Sequence, residues 1–319
     1  MTKRVINDAP HLRKRSFLRS LVKYRAFLLM LAPAVLFTLV FAYFPMSGII
    51  LAFKKYTFKG GIFGSAWANP WYKNFEFFFK SGNALLVTKN TVLYNLLFIA
   101  VNTVLQIAVA VFITEMKGKY FKKTMQTFMF LPYFISWVVV SVIAFNLLSF
   151  DVGAINAAVT ALGGEKINFY ATGSLWPLIL TVFGAWKGVG YGSIMYMAAI
   201  MGVDVEIYEA AAIDGCNVFQ RILKITIPQI MPTVVILLLL AIGGVFRGNF
   251  DMFYNMVGTN GVLYKYTDVI DTFTFRALIT NSDFGMSAAT GLYQSLLCLV
   301  TILLSNRLVK RYDPDYALF

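Results

Sequence analysis

The sequence predicts an all-α membrane protein with six transmembrane helices, and three observations support this prediction. First, 59% of the 319 residues are hydrophobic and only 13% are charged, whereas soluble domains average about 25% charged residues. Second, six apolar runs are each long enough for the roughly 20 residues that cross a bilayer core. Third, basic residues lie near the ends of these runs. The net charge of +13 therefore indicates a protein bound to the lipid bilayer rather than to nucleic acid.

The predicted spans follow one another with polar connections between them. The first is not a cleaved signal peptide, because it is long for one and Phe41–Pro45 lacks a cleavage site of small residues. The six spans are Ala26–Phe44, Thr91–Thr114, Gln126–Ser149, Ser174–Met201, Ile227–Arg247 and Met286–Asn306.

The distribution of Lys and Arg sets the predicted orientation. With the N-terminus in the cytoplasm, the cytoplasmic segments hold 17 basic residues and the outer segments hold 10. Both termini are therefore predicted to be cytoplasmic. The first outer loop disagrees with this rule, since six lysines lie between residues 54 and 89. Its many aromatic residues predict a segment that lies along the outer membrane interface.

The loop between the fourth and fifth spans has the local signals of a helix–turn–helix. Acidic residues precede Ile207–Ile213, whose alanines favour a helix, and Gly215 can adopt the positive φ that ends it. Asn217 and Gln220 have the spacing of a capping pair for a second helix, and Pro228 opens the next span. We interpret this loop as a docking element for a partner protein; the alternative is a helix that rests on lipid headgroups.

The fourth span is more polar than a simple anchor requires. Lys187 lies near its middle, where a charge costs at least ~2.5–3.5 kcal/mol. This lysine either lines a wet path or pairs with backbone carbonyls. Gly184, Gly188 and Gly192 recur at every fourth residue and allow close helix approach, either within the chain or toward a second subunit.

Other classes of protein lack their sequence signatures here. The two cysteines and the single histidine do not have the spacing of metal ligands, so no metal site is predicted. No Walker A sequence is present, because Ile113 stands where the glycine six residues before Lys119 would be needed. No Asp or Glu lies well inside a span, which argues against the alternative of an ion-coupled secondary transporter. No nucleophile and base are clustered, so the chain is not predicted to be an enzyme.

The same loop carries a family resemblance. Its pattern, E-A-A-x3-G-x9-I-x-hydrophobic-P, is similar to the signature of permease subunits of type I binding-protein-dependent ABC importers. Ile227 stands where this family usually has Leu, a near-isosteric change. Weaker motifs at 44–46, 51–55, 271–273 and 291–295 resemble the oligosaccharide and polysaccharide (LplB-like) branch, which is related to the maltose permeases. The residues of the main motif are Glu209, Ala210, Ala211, Gly215, Ile225, Ile227 and Pro228.

The resemblance implies several partner proteins. Two cytoplasmic ATPase subunits would bind ATP and Mg, so this chain would need no cofactor. A second homologous permease, by likeness a different chain, would complete the path, and an extracellular solute-binding protein would deliver the sugar. The chain would be a multi-pass protein of the bacterial cell membrane. Its ATPase-coupling residues would be Glu209, Ala210, Ala211, Asp214, Gly215 and Pro228.

The resemblance also divides the chain. Residues 87–306 would form the transmembrane transport domain, after a basic cytoplasmic tail (1–25) and a first helix with its outer loop (26–86). Residues 307–319 would form a second cytoplasmic tail. A sugar path needs polar groups for hydroxyls and aromatic rings for C–H faces. The candidates for sugar contact, each of which can instead be an interhelical polar contact, are Asn102, Gln106, Asn146, Trp186, Lys187 and Gln294.

Overall fold

The computed structural model describes residues 23–80 and 82–312 and is helical throughout that part. No strand forms among these residues, and one isolated antiparallel bridge joins Lys54 to Trp67. The chain separates into two units at Ile50 and Leu51. The helices are α1 Arg25–Thr38, α2 Gly61–Gly64, α3 Lys73–Lys80, α4 Asn83–Glu115, α5 Lys119–Phe130, α6 Trp137–Leu148, α7 Ala154–Ala161, α8 Trp176–Met201, α9 Val205–Ile213, α10 Val218–Arg221, α11 Ile227–Gly243, α12 Phe250–Val257, α13 Tyr264–Thr267, α14 Ile270–Ile279 and α15 Phe284–Tyr312.

The first unit consists of one apolar helix within the described residues. α1 continues through a π-helical turn at Leu39–Tyr43 and a 3-10 helix at Phe44–Phe53. No residue of α1 is buried, and Phe27 and Leu29 are 70% and 72% exposed. A helix that is apolar on all sides and lacks a covered face is typical of a membrane span.

Five helical stretches in the described residues are long and apolar enough to cross a membrane, and a bent pair adds a sixth. Five of the six predicted spans thus coincide with one continuous stretch each. The predicted span Gln126–Ser149 corresponds to the bent pair, so it is not one straight helix. There α5, prolonged by a 3-10 turn at Leu131–Phe134, meets α6 at an angle of 94°. Pro132 cannot donate a helical hydrogen bond, and Ser136 caps the new helix by accepting from the Val139 backbone at 3.4 Å.

The second unit is built around α4 and α8, which make the most extensive helix–helix contact in it. One buried cluster surrounds Trp176 and Phe253 at the start of α8. Another surrounds Ile113 and Ile200 near the end of the same two helices. A third, around Phe78, joins α3 and α4 to α14 and α15. The middle of α4 and α8 belongs to none of these clusters.

The lysine-rich segment before α4 has a defined conformation. The Asn74 amide donates to the carbonyls of Leu51, Ala52 and Lys54 at 2.9–3.2 Å, which fixes the start of α3 against the preceding chain. Phe78 of this segment is buried, but several of its other aromatic side chains point outward. Phe58 is 79% exposed, and four others are 46–67% exposed, namely Phe63, Trp67, Trp71 and Tyr72.

The last span runs further than predicted, because α15 continues beyond Asn306 to Tyr312. The rest of the second predicted tail, residues 313–319, lies outside the described residues. So does most of the first predicted tail, residues 1–22, which includes His11.

Candidate functional site

The loop between α8 and α11 folds into two short helices joined by a tight turn, and we call residues 204–226 the elbow. Asp204 caps α9 by accepting a hydrogen bond from the Glu206 backbone at 3.0 Å. Asn217 and Gln220 form the predicted capping box at the start of α10, with hydrogen bonds of 2.9 and 3.0 Å. These caps satisfy backbone N–H groups that a helix start leaves unpaired.

The turn between the two helices is a Schellman motif. The Gly215 N–H donates to the Ala212 carbonyl at 3.2 Å, and the Cys216 N–H donates to the Ala211 carbonyl at 2.9 Å. Gly215 has a φ of +76°, as the sequence predicted, and a residue with a Cβ would be strained there by roughly 1–2 kcal/mol. The turn therefore fixes the direction in which α10 leaves α9.

One contact fastens the elbow to α4, and a second lies within the elbow beside the start of α11. Arg221 forms an ion pair with Glu115 at the end of α4. The Tyr208 hydroxyl lies 3.2 Å from the hydroxyl of Thr226, in the π-helical turn Ile222–Thr226 that leads into α11. The elbow is thus joined to α4 by an ion pair and to α11 by the continuous chain.

The outer side of the elbow is exposed and partly apolar. Ile213 is 87% exposed and Phe219 is 77% exposed. Of the predicted coupling residues, Ala211 packs inward at 7% exposure, and Pro228 is exposed at the start of α11. The other four are exposed on the elbow: Glu209, Ala210, Asp214 and Gly215.

A central cavity of about 480 Å³ lies between α4, α8 and α11, in the middle stretch that the buried clusters leave free. Its volume falls in the range of about 300–1,000 Å³ that is usual for ligand pockets. Three of the six candidate sugar contacts line it, namely Asn102, Gln106 and Lys187. Aromatic side chains add to the wall, among them Phe98, Tyr133, Trp137 and Tyr196.

Lys187 reaches the break between α5 and α6. Its ammonium donates to the Tyr133 carbonyl at 2.5 Å and lies 5.1 and 5.6 Å from the ring centres of Tyr133 and Trp137. The Tyr133 ring in turn stacks on Tyr191 with centroids 4.0 Å apart. The predicted pairing with a backbone carbonyl is therefore present, and Lys187 also lines the cavity; its place on a wet path stays a prediction.

The repeating glycines of α8 face the interior of the chain. Gly184 and Gly188 line the central cavity, and a Cβ built on Gly192 would lie 2.1 Å from the Gln106 amide nitrogen. On the opposite face, a Cβ built on Gly190 would lie 1.8 Å from the Met129 carbonyl oxygen. The internal-packing interpretation of the glycine stripe is the one that the structure supports.

The other three candidate sugar contacts lie away from the cavity. Asn146 is exposed on α6, and Trp186 is 43% exposed on the far side of α8. Gln294 on α15 donates to the Asp271 carboxylate at 2.9 Å and to the Phe246 carbonyl at 2.8 Å. Its amide therefore holds the end of α11 to α14 and α15.

Asp271 is the centre of that network. Its carboxylate also accepts from the Gly248 backbone at 2.6 Å, which positions the neighbouring Asn249 at the cavity wall. Burial raises the pKa of Asp271, while the hydrogen bonds and the charge of Arg247 lower it.

Sequence reasoning missed Tyr133 and Trp137. The signal was present: Pro132 followed by Ser136 marks a helix end and a new N-cap, and such a break exposes backbone carbonyls inside a span. Within residues 23–80 and 82–312, no group of three or more His, Cys, Asp or Glu side chains could hold a metal ion.

Comparison with known proteins agrees with this architecture. A family model described as "Binding-protein-dependent transport system inner membrane component" matches residues 106–314. The polygalacturonan/rhamnogalacturonan transport system permease protein YteP of Bacillus subtilis is 33% identical over 95% of this chain and 93% of its own length. Protein LplB of the same organism is 32% identical over 94% of this chain and 93% of its own length.

A solved structure is similar over nearly the whole chain. In the crystal structure of a bacterial ABC transporter involved in the import of the acidic polysaccharide alginate, one chain matches with a TM-score of 0.83 and 28% identity. The match covers 93% of this chain and 99% of that one. This chain therefore belongs to the family of inner-membrane permease components of binding-protein-dependent transport systems.

Proposed function

We propose that this chain is the membrane-spanning permease subunit of an ATP-driven importer of oligosaccharides or polysaccharide fragments in the bacterial cell membrane. The elbow is the observation that supports this most directly. It is a closed, capped unit with exposed apolar side chains, it is fastened to α4 and leads into α11, and it carries the family motif. Such a unit suits a protein that receives force from a partner.

The orientation in this proposal follows from charge. Both termini and the elbow lie in the cytoplasm, since the segments on that side hold most of the basic residues. Residues 87–306 form the transport domain, with 1–25 and 307–319 as cytoplasmic tails and 26–86 as the appended first helix and outer loop.

In the proposed mechanism, the elbow receives the force and the central cavity holds the substrate. Two cytoplasmic ATPase subunits bind ATP and Mg and close around them. The elbow moves with them as a rigid body. Its ion pair with Glu115 carries the motion to α4, and the chain that continues from Thr226 into Ile227 carries it to α11. Since these helices line the central cavity, the cavity opens alternately to the two sides of the membrane.

The partners and cargo in this proposal rest on relatives. YteP is named for polygalacturonan and rhamnogalacturonan transport. The alginate transporter has also been crystallised with an alginate pentasaccharide-bound periplasmic protein. By analogy, we propose a second permease, two ATPase subunits and an external solute-binding protein for this chain.

A charge reversal on the elbow tests the proposal. We propose that the Glu209 carboxylate meets a basic side chain of the ATPase, so Glu209→Lys would place two like charges against each other in that interface. Saccharide-stimulated ATPase activity of the reconstituted importer is therefore expected to fall about tenfold. Glu165→Lys is the matched control, since Glu165 is exposed outside the elbow. Wild-type stimulation in Glu209→Lys would contradict the docking role.

The orientation has its own test. With Cys216 and Cys298 replaced by serine, Gln220→Cys places one exposed thiol on the elbow. A membrane-impermeant maleimide should label it in inside-out vesicles and leave it unlabelled in intact spheroplasts. The reverse pattern would place the elbow outside and remove the basis for coupling.

A further inference from the structure

The central cavity contains a cation without an anion. The Lys187 ammonium donates one hydrogen bond, to the Tyr133 carbonyl, and no carboxylate lines the cavity. The ion pairs in the described part of the chain are formed by Lys80, Arg221 and Arg276, so Lys187 forms none there. Ionisable side chains inside a span face the interior or a water-filled cavity and mark substrate or ion paths, and Lys187 combines its carbonyl contact with a place on the cavity wall.

The same cavity contains an acceptor without a donor. Asn102 Oδ1 is fully buried from solvent and has no hydrogen-bond partner, the one buried side-chain atom of this kind in the described residues. It lies opposite Gly188, where a built Cβ would be 3.9 Å away, one residue along α8 from Lys187. Leaving a buried acceptor unpaired is unfavourable, and a ligand that donates a hydrogen bond to it would remove that penalty.

These two groups have a common complement. The Lys187 ammonium can bind an anion, and Asn102 Oδ1 can accept a hydrogen bond from a hydroxyl. A sugar acid carries a carboxylate and hydroxyl groups on one ring. The aromatic rings of Tyr133 and Trp137 beside the ammonium offer faces for the C–H side of that ring. We infer that the cavity is selective for acidic oligosaccharides, with Lys187 binding a carboxylate of the substrate and Asn102, whose amide turns toward the cavity that this residue lines, accepting a hydrogen bond from one of its hydroxyls. This inference rests on the proposed function and adds the sign of the substrate's charge.

The lysine-rich segment supports the same sign. Between residues 51 and 89 there are six lysines and one acidic residue, Glu76, and Glu76 pairs with Lys80. The exposed lysines without an ion pair, Lys55, Lys59, Lys73 and Lys89, lie among exposed aromatic side chains. This number of lysines is unusual for an outer loop, because basic residues favour the cytoplasmic side. Electrostatic attraction of an anionic saccharide toward the importer would account for it.

The test compares two saccharides of equal length and different charge. Oligogalacturonate and its fully methyl-esterified form share a backbone, and only the first is anionic. The complete importer is reconstituted in nanodiscs without the solute-binding protein, so that selection by that protein does not contribute, and saccharide binding is measured by calorimetry. Uptake into proteoliposomes with the binding protein present is measured in parallel.

The wild-type complex is expected to bind the acid at least tenfold more tightly than the ester, with the difference shrinking as salt is added. Lys187→Met should weaken binding of the acid about tenfold and leave the ester unchanged, as expected for loss of one charge-assisted hydrogen bond. Lys187→Arg should retain the preference, which separates the charge from the contact with Tyr133.

Asn102→Asp provides a variant with little change in shape. It adds a carboxylate beside the substrate and should weaken binding of the acid more than binding of the ester. Thermal unfolding of each variant in nanodiscs shows whether folding is kept; if Lys187→Met fails to fold, Asn102→Asp and Lys187→Arg carry the test.

Three outcomes would overturn the inference while the proposed function stands: equal binding of acid and ester by the wild type, tighter binding of the ester, or an equal loss for both saccharides in Lys187→Met and Asn102→Asp. If ATP-dependent uptake of neither saccharide nor of a panel of neutral oligosaccharides occurs, the proposed function itself has failed. The two failures are therefore distinguishable.

Discussion

The elbow and the central cavity differ in where their polar and apolar groups face and in whether the polar groups have hydrogen-bond partners. In the elbow, the backbone polar groups at the helix ends are satisfied by residues a few positions away, and apolar side chains such as Ile213 and Phe219 face outward. In the cavity, polar side chains line the wall. Lys187 donates one hydrogen bond although its ammonium has three N–H groups, and Asn102 Oδ1 has no hydrogen-bond partner.

On the proposed function, this difference suits two separate tasks. A capped helix–turn–helix with exposed apolar side chains suits the transmission of force from a partner. A cavity whose wall holds unpaired polar groups suits the binding of a polar ligand. Substitutions in the elbow should therefore affect coupling, whereas substitutions facing the cavity should affect binding and leave the fold intact.

The largest expected effect comes from Gly215→Val. A β-branched residue at a φ of +76° would open the Schellman turn and change the angle between α9 and α10. Saccharide-stimulated ATPase activity of the reconstituted importer should fall by more than tenfold. The thermal midpoint should fall only by the amount that roughly 1–2 kcal/mol of backbone strain produces, because no neighbour lies within 4 Å of a Cβ at this site and no clash adds to that strain.

Gly163→Val is the matched control for that experiment. Gly163 has a φ of +82° and is equally free of neighbours, but it follows α7 and lies outside the elbow. Full stimulation in Gly163→Val and loss in Gly215→Val would assign the effect to coupling. Equal loss in both variants would show that backbone strain at either site disrupts the importer, which would contradict a coupling role specific to the elbow.

An intermediate effect separates the two faces of α8. A Cβ at position 190 would meet the Met129 backbone carbonyl, which has no room to move, so Gly190→Ala should destabilise the subunit by about 1–3 kcal/mol. A Cβ at position 192 would meet the end of the flexible Gln106 side chain, so Gly192→Ala should leave the thermal midpoint near that of the wild type. Comparable loss of stability in both would show that the cavity wall is as tightly packed as the rest of the core.

The smallest expected effect is a pH dependence at Asp271. Burial raises the pKa of this carboxyl, so the native state holds its proton at higher pH than the unfolded state does. Stability should therefore fall as the pH rises from about 4, near the unfolded pKa, through the raised native value, and then level off. Thermal midpoints measured across this range should flatten in Asp271→Asn, which keeps an oxygen for the Gly248 N–H.

Asp251→Asn is the control, because Asp251 is exposed on the neighbouring helix. It should retain the wild-type pH dependence. If it flattened the curve while Asp271→Asn did not, the outer wall of the cavity would be held by groups other than this carboxylate.

How far the sequence predicted each region depends on the range of its contacts. The elbow is made by caps and turns that span three to five residues, so Asn217, Gln220 and Gly215 were sufficient to place it. The spans were found by their apolar composition. The cavity joins residues far apart, such as Asn102 and Lys187, and half of the predicted sugar contacts lie elsewhere because apolar composition does not show which face of a helix a polar residue occupies. Gln294 shows this, since its partners are 23 and 48 positions away.

The bare apolar side of the elbow has a consequence for assembly in the cell. On the proposed function, a copy of this chain without its ATPase would expose Ile213 and Phe219 to the aqueous phase, where such apolar side chains promote aggregation. The surface proposed to bind the ATPase is therefore also the surface through which unassembled copies would associate with one another.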